Sequence, residues 1–528
     1  MSSETAWEEL TSWAKKFGVE CSSDLSLFPL VQEKKALLPY AFVKKHQILP
    51  VAEMETHFLV ATSDPLDLEA LEEVRVLLGR SIQELVTPRG VIEEAIERCY
   101  HQKENEASQL IASFQGGPES GQVVEAEGYD LLEQRGDSPV VRMLNAMLLE
   151  AIGQGSSDIH FEPLETGLGV RYRIDGVLQM RHAPPKEYQS QLITRIKVMA
   201  KLDIAEQRLP QDGRIKLRMG GRQIDFRVST VPVVYGERIV LRILDKSNVV
   251  VGLNKLGMRQ EILESLKKQI AHSEGIVLVT GPTGSGKTTT LYSALSDISS
   301  QEVNIMTIED PVEYKLQGMA QIGVNSKIHL TFATGLRHIL RQDPDVIMIG
   351  EIRDKETAEI AIQASLTGHL VLSTLHTNDS PSALTRLVDM GIEPYLLTSS
   401  VLAVLAQRLV RSICPECRYS YTPTSAELVE LGLNEQEHRS AFFHKGKGCA
   451  SCYGSGYKGR LGIYELMLMS PSIKRQLLKS ADAEELRRIS LSQGMTSLRN
   501  EGALLVIRGA TTTAEVLRVT RGCEEEVV

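Results

Sequence analysis

The chain has 528 residues, and because domains average about 150 residues, this length predicts three or four domains. Apolar residues make up 42% and charged residues 24%, a balance that is typical of globular domains and excludes global disorder. Lys and Arg number 58 against 68 Asp and Glu, so the net charge of −10 disfavours bulk binding to nucleic-acid phosphates.

The N-terminal sequence carries acidic residues where a secretory signal would be basic, and no apolar segment follows it. No stretch approaches the roughly 20 apolar residues of a membrane-spanning helix. We therefore expect membrane contact to be peripheral. Seven cysteines, clustered toward the C-terminal end, are too few for a disulfide scaffold and favour a reducing, cytoplasmic environment with a metal site.

The N-terminal part predicts a small domain and a linker. Residues 1–100 combine helical patterns with a short strand, His57–Thr62, and predict an α/β or α+β domain. Residues 101–137 are poor in apolar residues and rich in Gly and Glu, which predicts a flexible acidic linker.

The rest of the chain predicts further domains in a mixed α/β architecture. A helical pattern at Val140–Ile152 and alternating strand-like segments predict an α+β domain over residues 138–247. Repeated strand, Gly-rich turn and helix patterns predict a doubly wound parallel sheet over residues 248–405. A cysteine-containing insert over residues 406–465 and a helical segment over residues 466–528 follow.

A phosphate-binding loop follows the predicted strand Gly275–Thr280, with the pattern GxxxxGK[ST] and a helical sequence after it. Glycines let backbone N–H groups approach phosphate oxygens, and the helix N-terminus adds partial positive charge. We expect Lys287 to reach the outer phosphates and Thr288 to bind Mg²⁺. The predicted nucleotide contacts are Gly281, Pro282, Thr283, Gly284, Ser285, Gly286, Lys287, Thr288 and Thr289.

Carboxylates follow two other predicted strands. Three acids, the last of them Glu313, follow the strand Asn304–Ile308, where they could activate water or form a solvated acidic turn. The strand Val346–Ile349 precedes Gly350, which stands where a Walker B segment usually has a magnesium-binding Asp. Glu351 next to it is the best candidate for polarising the attacking water.

Two histidines, His369 and His376, bracket a fourth predicted strand. One of them could sense the γ-phosphate of a nucleotide. An isolated histidine at a strand end is more often a capping or core residue, so only their position in the same sheet favours a functional role.

Two Cys-x₂-Cys pairs indicate a metal site: Cys414 with Cys417, and Cys449 with Cys452. The 31 residues between the pairs still allow a tetrahedral Cys₄ site. Four thiolates leave no open position for water, so we predict a structural zinc ion. Four free thiols are the alternative.

Arg214, Arg227 and Arg238 lie on strand-like segments before the phosphate-binding loop. A planar, permanently charged guanidinium suits phosphate recognition. Arginine on an alternating strand is equally typical of a solvent-exposed face.

The motifs GPTGSGKTTT, TIEDPVE, RQDPDVIMIGEIRD and TGHLVLSTLHTND resemble, in this order, the Walker A, Asp box, Walker B and His box of the secretion ATPase superfamily, which drives type II secretion and type IV pili. With SSDIHFEP, RYRIDG and LPQDGRI, the resemblance covers roughly residues 138–470. It implies a hexameric, Mg²⁺-dependent ATPase with a PAS-like domain ahead of a RecA-like domain. It also implies a catalytic role for Glu351, an Asp-box role for Glu313 and nucleotide contacts by arginines of the PAS-like domain.

The tetracysteine insert resembles assembly ATPases of the superfamily, since pilus retraction ATPases generally lack it. The N-terminal region shows none of the RLG-type repeats that bind cyclic di-GMP in many pilus assembly relatives, which favours a type II secretion ATPase over a type IV pilus assembly ATPase. The resemblance then implies a cytoplasmic homohexamer that uses ATP, Mg²⁺ and Zn²⁺. It would lie peripherally at the inner membrane, where its N-terminal domain contacts the cytoplasmic part of a platform protein.

Two other functions are less favoured. A RecA-type nucleic-acid motor would share the P-loop, but the acidic charge and the lack of a nucleic-acid module disfavour it, and we expect no nucleic-acid partner. A nucleotide-binding scaffold without turnover would leave Glu313 and Glu351 without a role.

Overall fold

The computed structural model describes residues 19–25, 28, 38, 40–54, 56–101, 138–219, 222–245, 252–434, 436 and 441–521. Apart from His101, the predicted linker at residues 101–137 lies outside the described residues. The chain divides into two compact units, Met1–Ser247 and Asn248–Val528. Within the described residues, no helix has both the length and the apolar character that crossing a membrane requires. The predicted fold class, a multidomain mixed α/β protein, is confirmed.

The first domain consists of the described elements β1 (Glu20–Cys21), α1 (Tyr40–His46), β2 (Ile48–Glu53), β3 (His57–Thr62), α2 (Leu68–Leu78), β4 (Ser81–Val86) and α3 (Arg89–His101). Its sheet has the order β1–β4–β3–β2, in which β2 is antiparallel to β3 and the other neighbours are parallel. The helix α2 begins after Asp67, whose side chain accepts a hydrogen bond from the backbone N–H of Ala70, and ends at Gly79 in the left-handed conformation. Val60, Val74 and neighbouring apolar residues form the core.

The second domain is an antiparallel sheet with two helices: α4 (Pro139–Gly153), β5 (Asp158–Leu164), β6 (Gly167–Ile174), β7 (Val177–His182), α5 (Gln189–Met199), β8 (Gln211–Met219), β9 (Arg222–Val233) and β10 (Gly236–Asp245). The strand order is β7–β6–β5–β10–β9–β8. Ile159 and Phe161, which alternate along β5, pack in one core with residues of both helices, such as Met143 and Leu192. The sheet therefore has one apolar, helix-covered face and one polar face.

A buried ion pair joins α5 to β10 in this domain. The side chain of Lys197 is 1% exposed, and its Nζ lies 2.8 Å and 3.0 Å from the two carboxylate oxygens of Glu237. The same Nζ donates a hydrogen bond to the carbonyl oxygen of Glu206 at 2.7 Å. Removal of either partner leaves the other charge buried, which is far more costly than loss of an exposed pair.

The second unit contains the elements α6 (Gln260–Ile270), β11 (Gly275–Thr280), α7 (Lys287–Ile298), β12 (Ile305–Glu309), β13 (Ala320–Gly323), α8 (Phe332–Ile339), β14 (Val346–Ile349), α9 (Lys355–Leu366), β15 (Leu370–Leu375), α10 (Ser380–Asp389), α11 (Pro394–Ser400), β16 (Val401–Ile413), β17 (Arg418–Tyr421), α12 (Ser425–Glu430), β18 (Phe443–Gly446), β19 (Tyr457–Leu468), α13 (Pro471–Lys479), α14 (Ala483–Ser492), α15 (Leu498–Ile507) and α16 (Thr513–Thr520). The central sheet has the order β13–β12–β14–β15–β11–β16–β19, and β19 is antiparallel to its neighbour. The strands β11, β12, β14 and β15 are buried throughout because apolar cores cover both faces. Their carboxyl ends meet at one edge, where ligands of such sheets bind.

The cysteine-containing insert emerges from the end of the long β16–β19 hairpin. The predicted insert, residues 406–465, includes parts of both strands, whereas in the structure residues 406–413 and 457–465 belong to the central sheet and residues 414–456 extend beyond it. The difference arises because β16 continues as a largely buried strand to Ile413, beyond the residue at which the predicted insert begins. The insert packs on the C-terminal helices, since its Phe443 lies in one core with Val506.

The buried Lys197–Glu237 pair generates a stability prediction. Lys197→Met should lower the free energy of unfolding of this domain by about 3–5 kcal/mol, because the Glu237 carboxylate stays buried without its partner. Urea denaturation of the full chain, followed through the transition of this domain, measures the effect. Arg208→Met is the control because the side chain of Arg208 is 89% exposed. An unchanged midpoint for Lys197→Met, or an equal shift for Arg208→Met, would contradict the prediction.

Candidate nucleotide and metal sites

The loop between β11 and α7 has a backbone that only glycine can follow at several positions. Gly281, Gly284 and Gly286 have φ values of 149°, 80° and 88°. A Cβ on Gly281 would lie 2.5 Å from the carbonyl oxygen of Gln407 on β16. The loop is therefore packed tightly against the neighbouring strand, with its N–H groups at the start of a helix.

Lys287 closes back onto this loop. Its Nζ donates hydrogen bonds to the carbonyl oxygens of Gly281 at 2.7 Å and Pro282 at 3.1 Å. Burial lowers the pKa of Lys287 to about 8, with the charge of Glu351 opposing the shift and that of Arg408 adding to it. The ammonium must leave these carbonyl oxygens to bind a phosphate.

The other predicted loop contacts differ in exposure. Pro282, Thr283 and Gly284 are exposed, and so are Thr288, the predicted magnesium ligand, and Thr289 at the start of α7. The hydroxyl of Ser285 is buried and has no hydrogen-bond partner among the described residues. The loop thus presents both backbone and side-chain groups to a ligand.

Gly350 occupies a position where a side chain would be crowded. A Cβ there would lie 3.3 Å from the Cα of Glu309 and 3.3 Å from the carbonyl oxygen of Ile308 on the adjacent strand β12. An aspartate, as in the usual Walker B segment, would have to displace backbone atoms. The close approach of the strands gives a physical reason for glycine here.

Glu351, the next residue, is held by two basic side chains. Arg353 donates a hydrogen bond to its Oε1, and Nε2 of His376 lies 3.2 Å from its Oε2. Burial raises the pKa of Glu351, but the hydrogen bond and charge of Arg353 and the charge of His376 outweigh burial, so the pKa lies below its usual range. The carboxylate is ionised at neutral pH and can accept a proton. Arg353 was not among the predicted residues, although its i, i+2 spacing from Glu351 was a usable signal.

The carboxylates at the end of β12 and in the turn after it differ in burial and in contacts. Glu309 is buried and accepts hydrogen bonds from Thr307 at 2.6 Å, Gln321 at 3.1 Å and the hydroxyl of Tyr292 on α7. Burial and this contact raise the pKa of Tyr292. Glu313 is only partly buried, in the loop beyond the strand. Glu309 therefore joins the helix after the phosphate-binding loop to the strand before Glu313, a link that the sequence pattern did not indicate.

The structure separates the two predicted histidines. His376 follows β15 at the carboxyl edge of the sheet, beside the phosphate-binding loop. His369 precedes β15, whose first residue, Leu370, pairs with Gly275 at the start of β11, so it lies about 20 Å away at about 3.3 Å per strand residue. There Nδ1 of His369 lies 2.8 Å from the carbonyl oxygen of Ala364. Within this chain, only His376 joins the site that contains Lys287.

The predicted arginines lie on adjacent strands of the antiparallel sheet in the first unit. Arg214 on β8 stands opposite Arg227 on β9. Arg238 on β10 donates a hydrogen bond to Glu162 at 2.7 Å, and its guanidinium lies 3.2 Å from Nδ1 of His160.

The four cysteines of the insert converge on one point. Their Sγ atoms lie within 4.8 Å of one another, with distances of 3.8 Å, 3.8 Å and 3.7 Å for the pairs 414–449, 417–452 and 449–452. A tetrahedron of about 2.3 Å zinc–sulfur bonds has edges of about 3.8 Å. Burial raises the pKa of Cys452, but backbone N–H groups of Cys449 and Gly456 outweigh it and lower the pKa to about 6. The donor set fits a zinc ion held by thiolates.

The chain is similar to known proteins over most of its length. The family model described as "Type II/IV secretion system protein" matches residues 133–518, and the MshEN domain model matches residues 17–106. Type II secretion system protein E of Pseudomonas aeruginosa is 47% identical over 92% of this chain and 96% of that protein. The type IV pilus assembly ATPase PilB of Myxococcus xanthus is 43% identical over 96% and 89%. The structure of the Legionella pneumophila ATPase DotB, 22% identical over 76% of this chain and 98% of its own, shares the fold with a TM-score of 0.54.

The low pKa of Lys287 predicts that nucleotide affinity decreases above about pH 8. The nucleotide-free protein loses this proton with a pKa of about 8, whereas phosphate charges stabilise the ammonium in the complex, so binding above that pH requires proton uptake. The dissociation constant should be constant below about pH 8 and rise by up to about tenfold per pH unit above it. Titration of a fluorescent ATP analogue measures it.

The variant Lys287→Arg serves as the control for this pH dependence. Arginine is permanently charged, so the variant should lose the dependence even if its overall affinity changes. A wild-type dissociation constant that stays flat to about pH 10 would show that the proton on Lys287 does not control binding.

Proposed function

Since the chain belongs to the type II/IV secretion system protein family, we propose that it hydrolyses ATP to power pseudopilus assembly and protein export by a type II secretion system. The family that the motif order predicted is confirmed by the match over residues 133–518. The observation that carries the function is the convergence of Lys287, Glu351 and His376 at the carboxyl edge of one parallel sheet.

The geometry supports a direct route to hydrolysis. The loop N–H groups wrap the phosphates, and Lys287 exchanges its two carbonyl partners for phosphate oxygens. Thr288 would hold Mg²⁺, which would supply positive charge at the phosphates when nucleotide is bound. Glu351 orients a water molecule and takes its proton, while Arg353 and His376 keep the carboxylate in place.

The finer roles of other residues are also proposals. The side chain of Gln321 forms hydrogen bonds with the backbone of Tyr314 and Leu316 and so stabilises the loop that contains Glu313. Glu313 would help to position the water or the metal. Arg214, Arg227 and Arg238 would add positive charge at the γ-phosphate. His369 has no part in this route, since it lies at the opposite edge of the sheet.

The partners follow from the family. We propose a cytoplasmic homohexamer at the inner membrane, held there by residues 1–100 through the cytoplasmic part of a platform protein. The MshEN domain model matches residues 17–106, which supports a separate N-terminal domain in this region. Residues 101–137 would act as the tether between this domain and the ATPase.

The alternative is a type IV pilus assembly ATPase, because PilB is nearly as similar to the chain as the secretion relatives are. The two differ in their companions rather than in chemistry. Inner-membrane proteins that co-purify with the chain from its host would separate the two, since each machine has its own platform.

The proposed metal at Cys414, Cys417, Cys449 and Cys452 is zinc, supported by the tetrahedral sulfur geometry. Zinc there would be structural. Because thiolate ligation contributes to folding energy, the metal would stabilise residues 414–456 and the core that they share with the C-terminal helices.

The roles of Lys287 and Glu351 can be separated by two variants. Lys287→Ala should weaken nucleotide binding and turnover together, because the charge on the outer phosphates is lost. Glu351→Gln keeps the shape of the side chain but removes the base, so binding should persist while kcat drops on the order of 10²-fold or more. Phosphate release and fluorescent nucleotide titration measure the two effects. Wild-type turnover by Glu351→Gln would reassign water activation to Glu313.

The metal proposal predicts near one zinc per chain in elemental analysis. Cys452→Ser should lose the metal and make residues 414–456 sensitive to protease, while the phosphate-binding loop still binds nucleotide. Cys21→Ser is the control, since this free cysteine lies outside the cluster. A metal-free wild-type chain with four freely titrating thiols would contradict the proposal.

A further inference from the structure

Residues 376–380, called here the linking segment, connect the nucleotide site with the C-terminal helices. At its start, Nε2 of His376 lies 3.2 Å from Oε2 of Glu351. The backbone N–H of Thr377 donates to Oγ1 of Thr280 at 2.9 Å, and the two hydroxyl oxygens lie 2.7 Å apart. Thr280 ends β11 directly before the phosphate-binding loop. The first half of the segment is therefore fixed to the site itself.

The second half of the linking segment is held from the other side. Asp379 accepts a hydrogen bond from Arg487 of α14 at 2.6 Å. Ser380, the first residue of α10, donates its backbone N–H at 2.9 Å and its hydroxyl at 2.6 Å to Oε1 of Glu465. Two side chains from distant parts of the chain thus hold the start of α10.

Glu465 on β19 holds a second helix as well. Its side chain is fully buried, and its Oε2 accepts a hydrogen bond from the backbone N–H of Leu498, the first residue of α15, at 3.4 Å. One carboxylate therefore lies between the N-termini of α10 and α15. Each N-terminus carries roughly half a positive charge, so the two together balance one carboxylate in the interior.

The contacts of Glu465 are specific for a carboxylate. Among the described residues, Ser380 donates two hydrogen bonds to it and Leu498 donates one. Burial and the nearby charge of Asp379 raise the pKa of Glu465, and the hydrogen bonds from Ser380 and the charge of Arg487 offset that rise only in part. A glutamine would turn an N–H₂ group toward one of the helix N-termini and leave buried donors facing each other.

We propose that Glu465 is a positioning residue for ATP hydrolysis. By holding the start of α10 it sets the place of His376 beside Glu351, and it makes that place depend on the docking of α14 and α15. Only three residues separate His376 from Ser380, so the position of the helix start limits the positions that the histidine can take. This inference rests on the proposed ATPase function of the loop that contains Lys287.

The test is the steady-state kinetics of the full-length Glu465→Gln variant. Because small misplacements of catalytic groups have large effects on rate, kcat should fall at least about tenfold. The KM for ATP and the dissociation constant of a fluorescent ATP analogue should stay within about twofold, since the phosphate-binding loop is untouched. A kcat within about twofold of wild type would overturn the proposal.

A matched control distinguishes a positioning role of Glu465 from general destabilisation of the fold. Glu515 on α16 is also a buried carboxylate, but it accepts its side-chain hydrogen bonds from Arg411 and Arg518 and has no contact with the linking segment among the described residues. Glu515→Gln should lower the thermal midpoint and leave kcat within about twofold of wild type. An equal loss of kcat in Glu515→Gln would overturn the specific role of Glu465.

Two further measurements keep the proposal testable. If Glu465 acts through His376, then adding Glu465→Gln to His376→Ala should lower kcat no further, and an additive loss would contradict the proposal.

If Glu465→Gln fails to fold, the variant Arg487→Met, which removes the partner of Asp379, decides instead. We expect a reduced kcat for this variant, and a wild-type kcat would overturn the inference.

If the proposed ATPase function itself is wrong, the experiments give a different result. In that case the wild-type chain would not hydrolyse ATP, or Lys287→Ala would hydrolyse it as fast as wild type. A wild-type ATPase whose Glu465→Gln variant is fully active would leave the function intact and reject only the positioning role.

Discussion

The parallel pairing of β11 with β15 and of β15 with β14 is the constraint on which the site depends. Because these strands run in the same direction and in register, their carboxyl ends reach one edge together. The phosphate-binding loop, Glu351 and His376 each follow one of these strands by only one or a few residues. Three segments that are far apart in sequence thus meet without any long loop to position them. The same pairing places His369 at the far edge, since it stands before its strand rather than after it.

The charged side chains at this edge affect one another's ionisation. Lys287 and Arg408 are both largely buried, and the charge of Arg408 helps to lower the pKa of Lys287, while the charge of Glu351 opposes that shift. Glu351 itself is kept ionised by Arg353 and His376. The pKa of Lys287 is therefore low for a lysine, and a ligand that brings negative charge would favour its charged ammonium form.

The cysteine-containing insert and the C-terminal helices share one hydrophobic core with the β16–β19 hairpin. Phe443 and Leu431 of the insert share a core with Val506 and Val516 of α15 and α16. The same α15 begins at the buried carboxylate of Glu465. The core of the insert is thus connected by packing to α15, whose first residue, Leu498, contacts Glu465. This arrangement gives the C-terminal part of the chain a physical route to the nucleotide site.

The sequence by itself determined the local features of this protein. The strands at Gly275–Thr280 and Val346–Ile349 have the predicted bounds, because buried parallel strands appear as continuous apolar runs between turn residues. The phosphate-binding loop and the cysteine pairs were visible because their chemistry depends on residues close together in the chain. The order of these motifs was enough to predict the family.

Only the tertiary structure decided which of these residues act together. It separated His376 from His369, gave a steric reason for Gly350 in the approach of β12, and extended β16 and β19 into the region predicted as insert. It also brought Glu465 to Ser380, 85 positions away in the chain. Periodicity and spacing report on neighbours within one element, whereas these contacts join elements whose order in space is set by strand pairing and packing, which no local pattern encodes.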